Sequence, residues 1–591
     1  MAKQSRQRIR IGPWMGGLNL RDHPQDLKDD ELSTALNVDI DDLGGLRQRP
    51  MYYYQGLNQA FVDGAGGGGA TMPAVQAIES SGYFYAFMFS PVGNTRLLTK
   101  KSIESQVNGA WLGNRVHANM DLANGQPLVV YKESMYAVNI KNVYSCSLTK
   151  LQAGTALAAD WASQNGPLSA GTPASPIASQ AVVIKDRLFL CKWQYDGVSP
   201  TTYPINRVYW SKVANFGIWA APDGGFVDVG ANFAGSTITR LFSHNDSLII
   251  VKPDGIWRLS WSADPATDGV LDQISNASGF YDGLSYKGRL FFLGPNGFYE
   301  FLNSYMVNLS DRVMSPGSQG YAAAPGDRPV ITSFAAPGDN SKIGGPTLCG
   351  VKDYIFFGVV QYVNWDRFRY AGTYYVNLVY DLSRDRWLAW KADRTSQNAG
   401  ISYSKPVCAN EEVGTVLVCG NNAFSANGCG AYIIPVDSAF WNGYADNDAG
   451  DLKGPPYFAI ETKTYAFGDP FKWKQFHKLL AWARQAYRPA AGTGNVDFSM
   501  TQYTFDQNPV AGSGETTENY AVNITQAETR TALEASSWNG FFPFTKKRFK
   551  MMRFRLEGQV NSTVGTGPFL WSVPYIELDV DMKRDVDNRK P

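Results

Sequence analysis

Ser247-Leu248-Ile249-Ile250-Val251 runs into Lys252-Pro253-Asp254-Gly255 and out through Ile256-Trp257-Arg258-Leu259. That is a short β-type run, a turn carrying Pro and then Asp-Gly, and a second β-type run. The same shape returns at Arg289-Leu290-Phe291-Phe292-Leu293, Gly294-Pro295-Asn296-Gly297, Phe298-Tyr299-Glu300-Phe301. Looser versions precede the pair at Gly82 to Phe87, Pro127 to Val138 and Ala181 to Leu190. Two more follow, around Tyr354 to Trp390 and Val416 to Ile434. Near-repeats roughly 40 residues apart, each with about four short strands, are the signature of a β-propeller. Leu378-Val379-Tyr380-Asp381-Leu382-Ser383-Arg384-Asp385-Arg386-Trp387 resembles the end of a kelch-like blade, where a Trp packs between blades; Arg207 to Trp219 reads as a degenerate copy. The alternative with the same strand content is an irregular β-sandwich. The expectation is a propeller of six to eight blades over residues 76–445, with the two quoted hairpins at equivalent positions of neighbouring blades.

Composition agrees with a mainly β chain. Its 591 residues are 44% hydrophobic, 13% aromatic and only 18% charged, with 58 Gly and 31 Pro. Plentiful aromatics and turn formers suit short strands, and the apolar content excludes disorder of the whole chain. Fifty-four basic residues against 53 acidic ones give a net charge of +1. A protein that grips DNA through its phosphates carries a clear basic excess. Near-neutrality fits weak, salt-dependent contact with DNA in transit. The N-terminus MAKQSRQRIRIGPW is basic but has no apolar signal-peptide core, and no apolar run is long enough for a transmembrane helix.

The two ends differ from the middle. Residues 1–75 read as an N-terminal arm and part of a platform. Asp29-Asp30-Glu31-Leu32-Ser33-Thr34-Ala35-Leu36-Asn37 is the best helix candidate, with acidic residues opening it and Asn37 closing it. A turn at Leu43-Gly44-Gly45-Leu46 leads into an extended segment, and Gly64 to Gly69 reads as a flexible linker or long loop. Residues 455–591 read as an antiparallel β-domain closing with Tyr575-Ile576-Glu577-Leu578-Asp579-Val580, an alternation of apolar and acidic residues expected of a half-exposed strand. The first 60 residues are too few to bury their own core, and a β-domain leaves strand edges that need cover. Residues near Gly45 to Tyr52 are therefore expected to pair with strands after residue 455, making the propeller an insertion within, or a neighbour of, one platform.

Catalytic constellations are not found. There is no G-x-S-x-G elbow, no H-E-x-x-H, and no Gly-Lys-Ser/Thr after the Gly-rich run. Asp381 and Asp385 share one turn and read as solvated turn residues, not as a glycosidase pair facing across a cleft. Cys146, Cys191, Cys349, Cys408, Cys419 and Cys429 form no C-x-x-C, and His23, His117, His244 and His477 lie far apart. The expectation is no catalytic residue, no metal and no cofactor, with buried free thiols preferred over a local disulfide at Cys408, Cys419 and Cys429. The strongest charge feature is Lys546-Lys547-Arg548-Phe549-Lys550-Met551-Met552-Arg553-Phe554-Arg555. Its interleaved aromatics allow stacking on bases; an amphipathic strand facing water, an acidic partner or another protein is the preferred reading. Lys546, Lys547, Arg548, Lys550, Arg553 and Arg555, with Arg47 and Arg49, are the candidate interface residues.

Gly16-Gly17-Leu18-Asn19, Asp26-Leu27, Asp30-Glu31-Leu32, Ala35-Leu36-Asn37-Val38-Asp39 and Gly45-Leu46-Arg47-Gln48-Arg49-Pro50 resemble the opening of the nozzle-type tail proteins of short-tailed bacteriophages, the tail tubular protein B group. Ile238 to Leu259 looks like a propeller blade of that group, and Lys463 to Lys474 like the strand that begins its C-terminal domain. The resemblance implies a virion tail protein made in the host cytoplasm. It implies a homohexameric ring continuing the DNA channel below the adaptor (head-to-tail connector), partnered by tail fibres or spikes and by genomic DNA passing non-specifically. The rival expectation is a carbohydrate-binding or carbohydrate-degrading propeller, either a depolymerase or a receptor-binding tail protein.

Overall fold

The turns set the blades. In the hairpin Ser247–Lys252 to Gly255–Ser260, Lys252 stands opposite Gly255, whose φ of 154° lies in a region glycine tolerates. Leu248, Ile249, Ile250 and Val251 are all fully buried, so this strand is covered on both faces. The equivalent hairpin Arg289–Gly294 to Gly297–Leu302 pairs Gly294 with Gly297 in the same way.

The computed structural model describes residues 6–22, 25–50, 53–54, 74–89, 96–102, 112–115, 127–138, 142–153, 155–156, 158–167, 178–192, 205–230, 237–294, 297–314, 330–331, 348–363, 373–390, 401–422, 429–436, 447–448, 451–452, 458–467, 474–487, 493–505, 515–524, 538–542, 548–563 and 570–582. Five consecutive four-stranded antiparallel sheets begin with the inner strands Ala74–Ser80, Leu128–Tyr131, Ala178–Ile184, Arg240–His244 and Asp282–Tyr286. The two quoted hairpins are the second and third strands of the fourth and fifth sheets. Blade six runs Leu348–Val351, Tyr354–Val363, Thr373–Asp381, Arg386–Trp390. Blade seven runs Ile401–Asn410, Thr415–Asn422, Cys429–Pro435. Its fourth strand, Tyr53–Tyr54, comes from far upstream in the chain, and the short strands Asn447–Asp448 and Asp451–Leu452 extend the sheet beyond it. Each inner strand neighbours the next, and Ile401–Asn410 of blade seven lies beside Ala74–Ser80 of blade one. The protein is mainly β, with a closed seven-bladed propeller.

Side chains tie the blades circumferentially. Arg240 of blade four donates to Gln180 Oε1 of blade three at 3.1 Å and pairs with Asp282 of blade five at 3.2 Å. Asp282 in turn accepts from the Leu348 N–H of blade six at 3.0 Å. Trp387 packs across the seam between blades five and six, 6.0 Å from the Phe298 ring and 5.1 Å from Phe357, and donates to Leu309 O at 2.9 Å.

The platform is built from both ends of the chain. One sheet runs Val38–Ile40, Leu46–Gln48, Leu570–Met582, Lys474–Tyr487, Trp538–Phe542, with Arg6–Ile11 also on Leu570–Met582. Arg47 stands opposite Ser572 and Leu46 opposite Val573. The second sheet continues blade six outward: Arg386–Trp390, Glu31–Leu36, Phe458–Thr462, Met551–Thr563, Thr493–Phe505, Glu515–Ile524. One core cluster accordingly contains Phe298 and Phe357 of the propeller, Leu32 and Leu36 of the arm, and Ile460, Phe554 and Ile576 of the platform.

The expected N-terminal helix over 29–37 is instead the strand Glu31–Leu36. It is antiparallel to Phe458–Thr462 and parallel to Gly17–Leu18 and, at Leu36, to Arg386–Trp390. Glu31, Leu32, Thr34, Ala35 and Leu36 are all buried, so no face is left for the solvent side of an amphipathic helix. Two waiting sheet edges outweigh a weak local helix preference over six residues. Asn37 does end the element, but by taking φ of 53° between two strands. Among the described residues the helices are Leu148–Ala153 and the 3-10 turn Ala158–Asp160. The Gly64 to Gly69 run lies outside the described residues.

Candidate functional site

The residues of the N-terminal motif converge where propeller and platform share a sheet. Gly17, at φ +67°, lets its strand lie against blade six: an added Cβ would stand 2.9 Å from Arg386 Cβ and 3.0 Å from Trp387 O. At Gly16 an added Cβ would meet Glu31 Cγ at 2.7 Å. Asn19, 2% exposed, donates to Glu31 Oε2 at 3.1 Å and to Asp22 Oδ2 at 2.9 Å. Leu20 N and Arg21 N donate to Arg312 O of the turn after blade five, and Arg21 pairs with Asp311 at 2.6 Å.

Downstream, Asn37-x-Asp39 answers Arg47-x-Arg49 across the hairpin Val38–Ile40 to Leu46–Gln48. Arg49, fully buried, donates to Asn37 Oδ1 at 2.8 Å and to Pro50 O at 2.6 Å. Arg47 pairs with Asp39 at 2.6 Å. Burial works against the Arg47 charge, but the Asp39 carboxylate outweighs it and the guanidinium pKa rises. Tyr354 of blade six holds its hydroxyl 3.4 Å from both Asp39 oxygens; burial first, and then Asp39, push the phenol far above its usual range, so it remains a neutral donor.

Blade six offers its last turn to the same place. Asp381 and Arg386 are both fully buried and paired at 2.9 Å. Arg386 also donates to Ile40 O, and Arg384 bridges Asp381 and Asp42. Asp381 is thus an internal ion-pair residue, which corrects its reading as solvated. Asp385 is exposed and accepts from Tyr380 Oη at 2.6 Å. The two carboxylates face no common cleft.

The candidate interface residues divide. Lys546 and Lys547 lie outside the described residues. Arg548 stands opposite Gln475, and Lys550 is half-buried. Arg553 is 8% and Arg555 3% exposed, and both pair with Glu461 of the neighbouring strand, at 2.9 and 3.6 Å; Arg555 also meets Glu557 at 3.1 Å. Arg49 is fully buried. Arg49, Arg553 and Arg555 are therefore internal and not an outer basic surface, because alternation along Met551–Thr563 puts Met552, Phe554 and Leu556 in the core and the charges against Glu461. Arg47 keeps about a third of its side chain exposed.

The pairing of the two chain-terminal strands was not anticipated from the sequence. Arg6, Arg8 and Arg10 of Arg6–Ile11 stand opposite Asp581, Asp579 and Glu577 of Leu570–Met582. Arg10 is exposed, with its guanidinium 4.1 Å from the Tyr575 ring centroid. The basic N-terminus and the acidic alternation of the last strand were each visible; the signal linking them is their shared period of two.

No protein-family model and no curated protein matches this chain. Among solved structures, the AfRom2 CNH domain is 8% identical, covering 62% of this chain and 96% of its own, with a TM-score of 0.34. A post-proline cleaving enzyme from Rickettsia typhi is 12% identical, with coverage of 70% and 60% and a TM-score of 0.36. A glycoside hydrolase is 11% identical, with coverage of 85% and 97% and a TM-score of 0.21. At these scores the likenesses carry no argument about activity. Among the described residues no group of His, Cys, Asp and Glu is placed to hold a metal; Cys146 and Cys349 are buried free thiols, and Cys191 is buried. Cys408 is half-buried, and the side chains of Cys419 and Cys429 lie outside the described residues. No helix among the described residues is long and apolar enough to cross a membrane.

Proposed function

We propose that this chain is a structural virion protein, one copy of the nozzle or hub ring of a short-tailed bacteriophage tail. In this reading it assembles as a homohexamer, continues the DNA channel below the adaptor, meets tail fibres or spikes, and helps retain and release the genome without catalysis or a cofactor. The supporting observation is the place of the N-terminal motif. Gly16, Gly17, Asn37, Asp39, Arg47 and Arg49 are the parts that join a propeller to a platform built from both chain ends. A blade sheet that continues through Glu31–Leu36 into the platform joins the two by backbone pairing. The net charge of +1 suits DNA that slides past and is not held.

The test is a cryo-EM reconstruction of the particle, with the expected density a ring of this chain directly below the adaptor. Placement of the chain as a peripheral spike, together with saturable turnover of capsular polysaccharide lost on changing one carboxylate, would replace this reading with the depolymerase.

A further inference from the structure

The outer corner of blade three holds apolar side chains out in water on a fixed backbone. Its third and fourth strands, Arg207–Trp210 and Gly225–Asp228, are joined by residues 211–224. Six large apolar side chains are exposed among the described residues, and Val213, Ile218 and Phe226 of this one stretch are half of them. The connection is tied down throughout. Lys212 N donates to Ile218 O at 2.8 Å and Gly224 N to Ala220 O at 2.9 Å. The buried Arg187 donates to Ser211 O at 2.9 Å and to Asp223 O at 2.6 Å. Trp219 Nε1 donates to Asn165 O at 2.8 Å, which fastens the corner to Ala162–Asn165, the outer strand of blade two. A surface so held loses little conformational freedom when a ligand arrives.

Alternation fixes which way the corner looks. Val208 and Trp210 pack with Leu241 and Leu248 of blade four, and Tyr209 between them packs with Val138 and Val143 of blade two. Phe226 stands opposite Tyr209 and Asp228 opposite Arg207, so all four side chains lie on the side facing blade two. Arg207 holds Asp228 by two parallel bonds, Nε to Oδ1 at 2.6 Å and Nη2 to Oδ2 at 2.7 Å. Its guanidinium carbon lies 3.7 Å from the Phe226 ring centroid, and Phe226 is still 54% exposed. Arg207 and Asp228 keep 21% and 35% of their side chains exposed. The corner is thus an open aromatic ring with a planar, fixed pair of polar groups beside it. Its charges cancel, and so do those of the connection's other ion pair, Lys212 with Asp223 at 3.0 Å.

We propose that this corner is a binding subsite for a neutral glycan: one pyranose ring stacks on Phe226 while its hydroxyls bond to the exposed parts of Arg207 and Asp228. A pyranose carries apolar C–H groups on its faces and hydroxyls around its edge, the same division the corner shows, and the electron-rich face of an aromatic ring attracts such C–H groups. An anionic polymer would meet Asp228 with no surplus cation to receive it. A protein partner of ordinary size takes about 20–30 residues a side, whereas this patch rests on three exposed apolar side chains. The inference stands apart from the ring reading, since it holds for this chain in a ring or at the periphery of a particle.

The test is saturation-transfer NMR on the full chain with neutral hexasaccharides of glucose, galactose and mannose, and with polygalacturonate as the anionic probe. One or more of the neutral probes should bind with Kd on the order of 1 mM, as a single stacked ring and a few hydrogen bonds allow. Phe226→Ala should weaken that binding about tenfold or more, and Phe226→Trp should keep it. Val270→Ala, which removes an exposed apolar side chain from the outer strand of blade four, should leave it unchanged. Arg207→Lys keeps the charge but not the two parallel bonds, and should weaken binding severalfold. The melting temperature of Phe226→Ala should match the parent's, so that lost binding reports a lost contact and not a lost fold. Three results overturn the proposal: no neutral probe binds, polygalacturonate alone binds, or Phe226→Ala binds as the parent does. So does a photoreactive residue in place of Phe226 that cross-links to another protein in the particle. None of these outcomes bears on the ring, which the particle reconstruction decides.

Discussion

Asp381→Asn should loosen the seam between blade six and the arm far more than its single-atom change suggests. Asp381 accepts from Ser383 Oγ at 2.8 Å and Arg384 Nη1 at 3.2 Å and forms an ion pair with Arg386 Nε at 2.9 Å, and neither Asp381 nor Arg386 has any side-chain exposure. The amide preserves shape but leaves the buried Arg386 guanidinium without its counter-charge. Breaking one side of a buried pair costs about 3–5 kcal/mol. If all 591 residues melted as one unit, at about 2.1 cal/mol/K of entropy per residue, that loss would lower Tm by only about 2–4 °C. Local opening feels the full cost, so hydrogen exchange is the sharper assay. Amides of Trp387 to Trp390 should exchange roughly 10²- to 10⁴-fold faster. The control is Asp272→Asn, whose pair with Arg258 is 3.4 Å long and about half exposed on both sides; it should cost under about 1 kcal/mol. If Asp381→Asn speeds exchange no more than the control does on its own strand, the buried pair does not hold this turn and the account of the seam is wrong.

Gly17→Ala should destabilise by about 2–4 kcal/mol in chemical denaturation, from left-handed strain plus the clash with Arg386 and Trp387. Gly82→Ala, at φ +78° with nothing within 4 Å of the added Cβ, should show the strain alone, about 1–2 kcal/mol. Burial pushes the Cys349 thiol up to about 12 and that of Cys146 to about 11. Both should resist alkylation at pH 8 in the native protein and react in denaturant, by peptide mass spectrometry. The sign for stability follows: the folded state favours these thiols protonated, so their contribution is intact below about pH 9 and is lost as pH rises toward the folded values. Burial, and then Arg258, lower the His244 pKa from 6.5. The unfolded chain takes up this proton first, so stability should fall as pH drops below about 6.5, and His244→Gln should flatten that part of a pH–Tm curve. Deleting residues 1–50 removes Glu31–Leu36 and Leu46–Gln48 from between their partners, and the C-terminal strands should become protease-sensitive. A C-terminal domain that resists protease as before would mean the two ends are independent.

Much of the propeller was legible because hairpins are local. Lys252 to Gly255 and Gly294 to Gly297 name their own turns, and the strands on either side need only reach each other across them. The polar turn before Trp387 was legible for the same reason. What alternation could not tell was which face met water. Arg553 and Arg555 alternate as surface charges do, and only the arrival of Glu461 on the adjacent strand makes that face an interior one. Asp381 was likewise read from its turn, whereas its burial is imposed by Ile40 and Asp42 of the arm.

The sequence by itself determined the strand type, the turns and the repeated hairpin, because period-two patterning and Pro/Asn/Asp-Gly chemistry act over a few residues. The tertiary structure alone decided that Glu31–Leu36 is a strand, that Tyr53–Tyr54 closes blade seven, and that Arg6–Ile11 meets Leu570–Met582. Each of those pairings joins segments hundreds of residues apart. A strand's own residues state that it needs an edge, but which edge is settled only when the whole chain has folded and shown which ones remain unpaired.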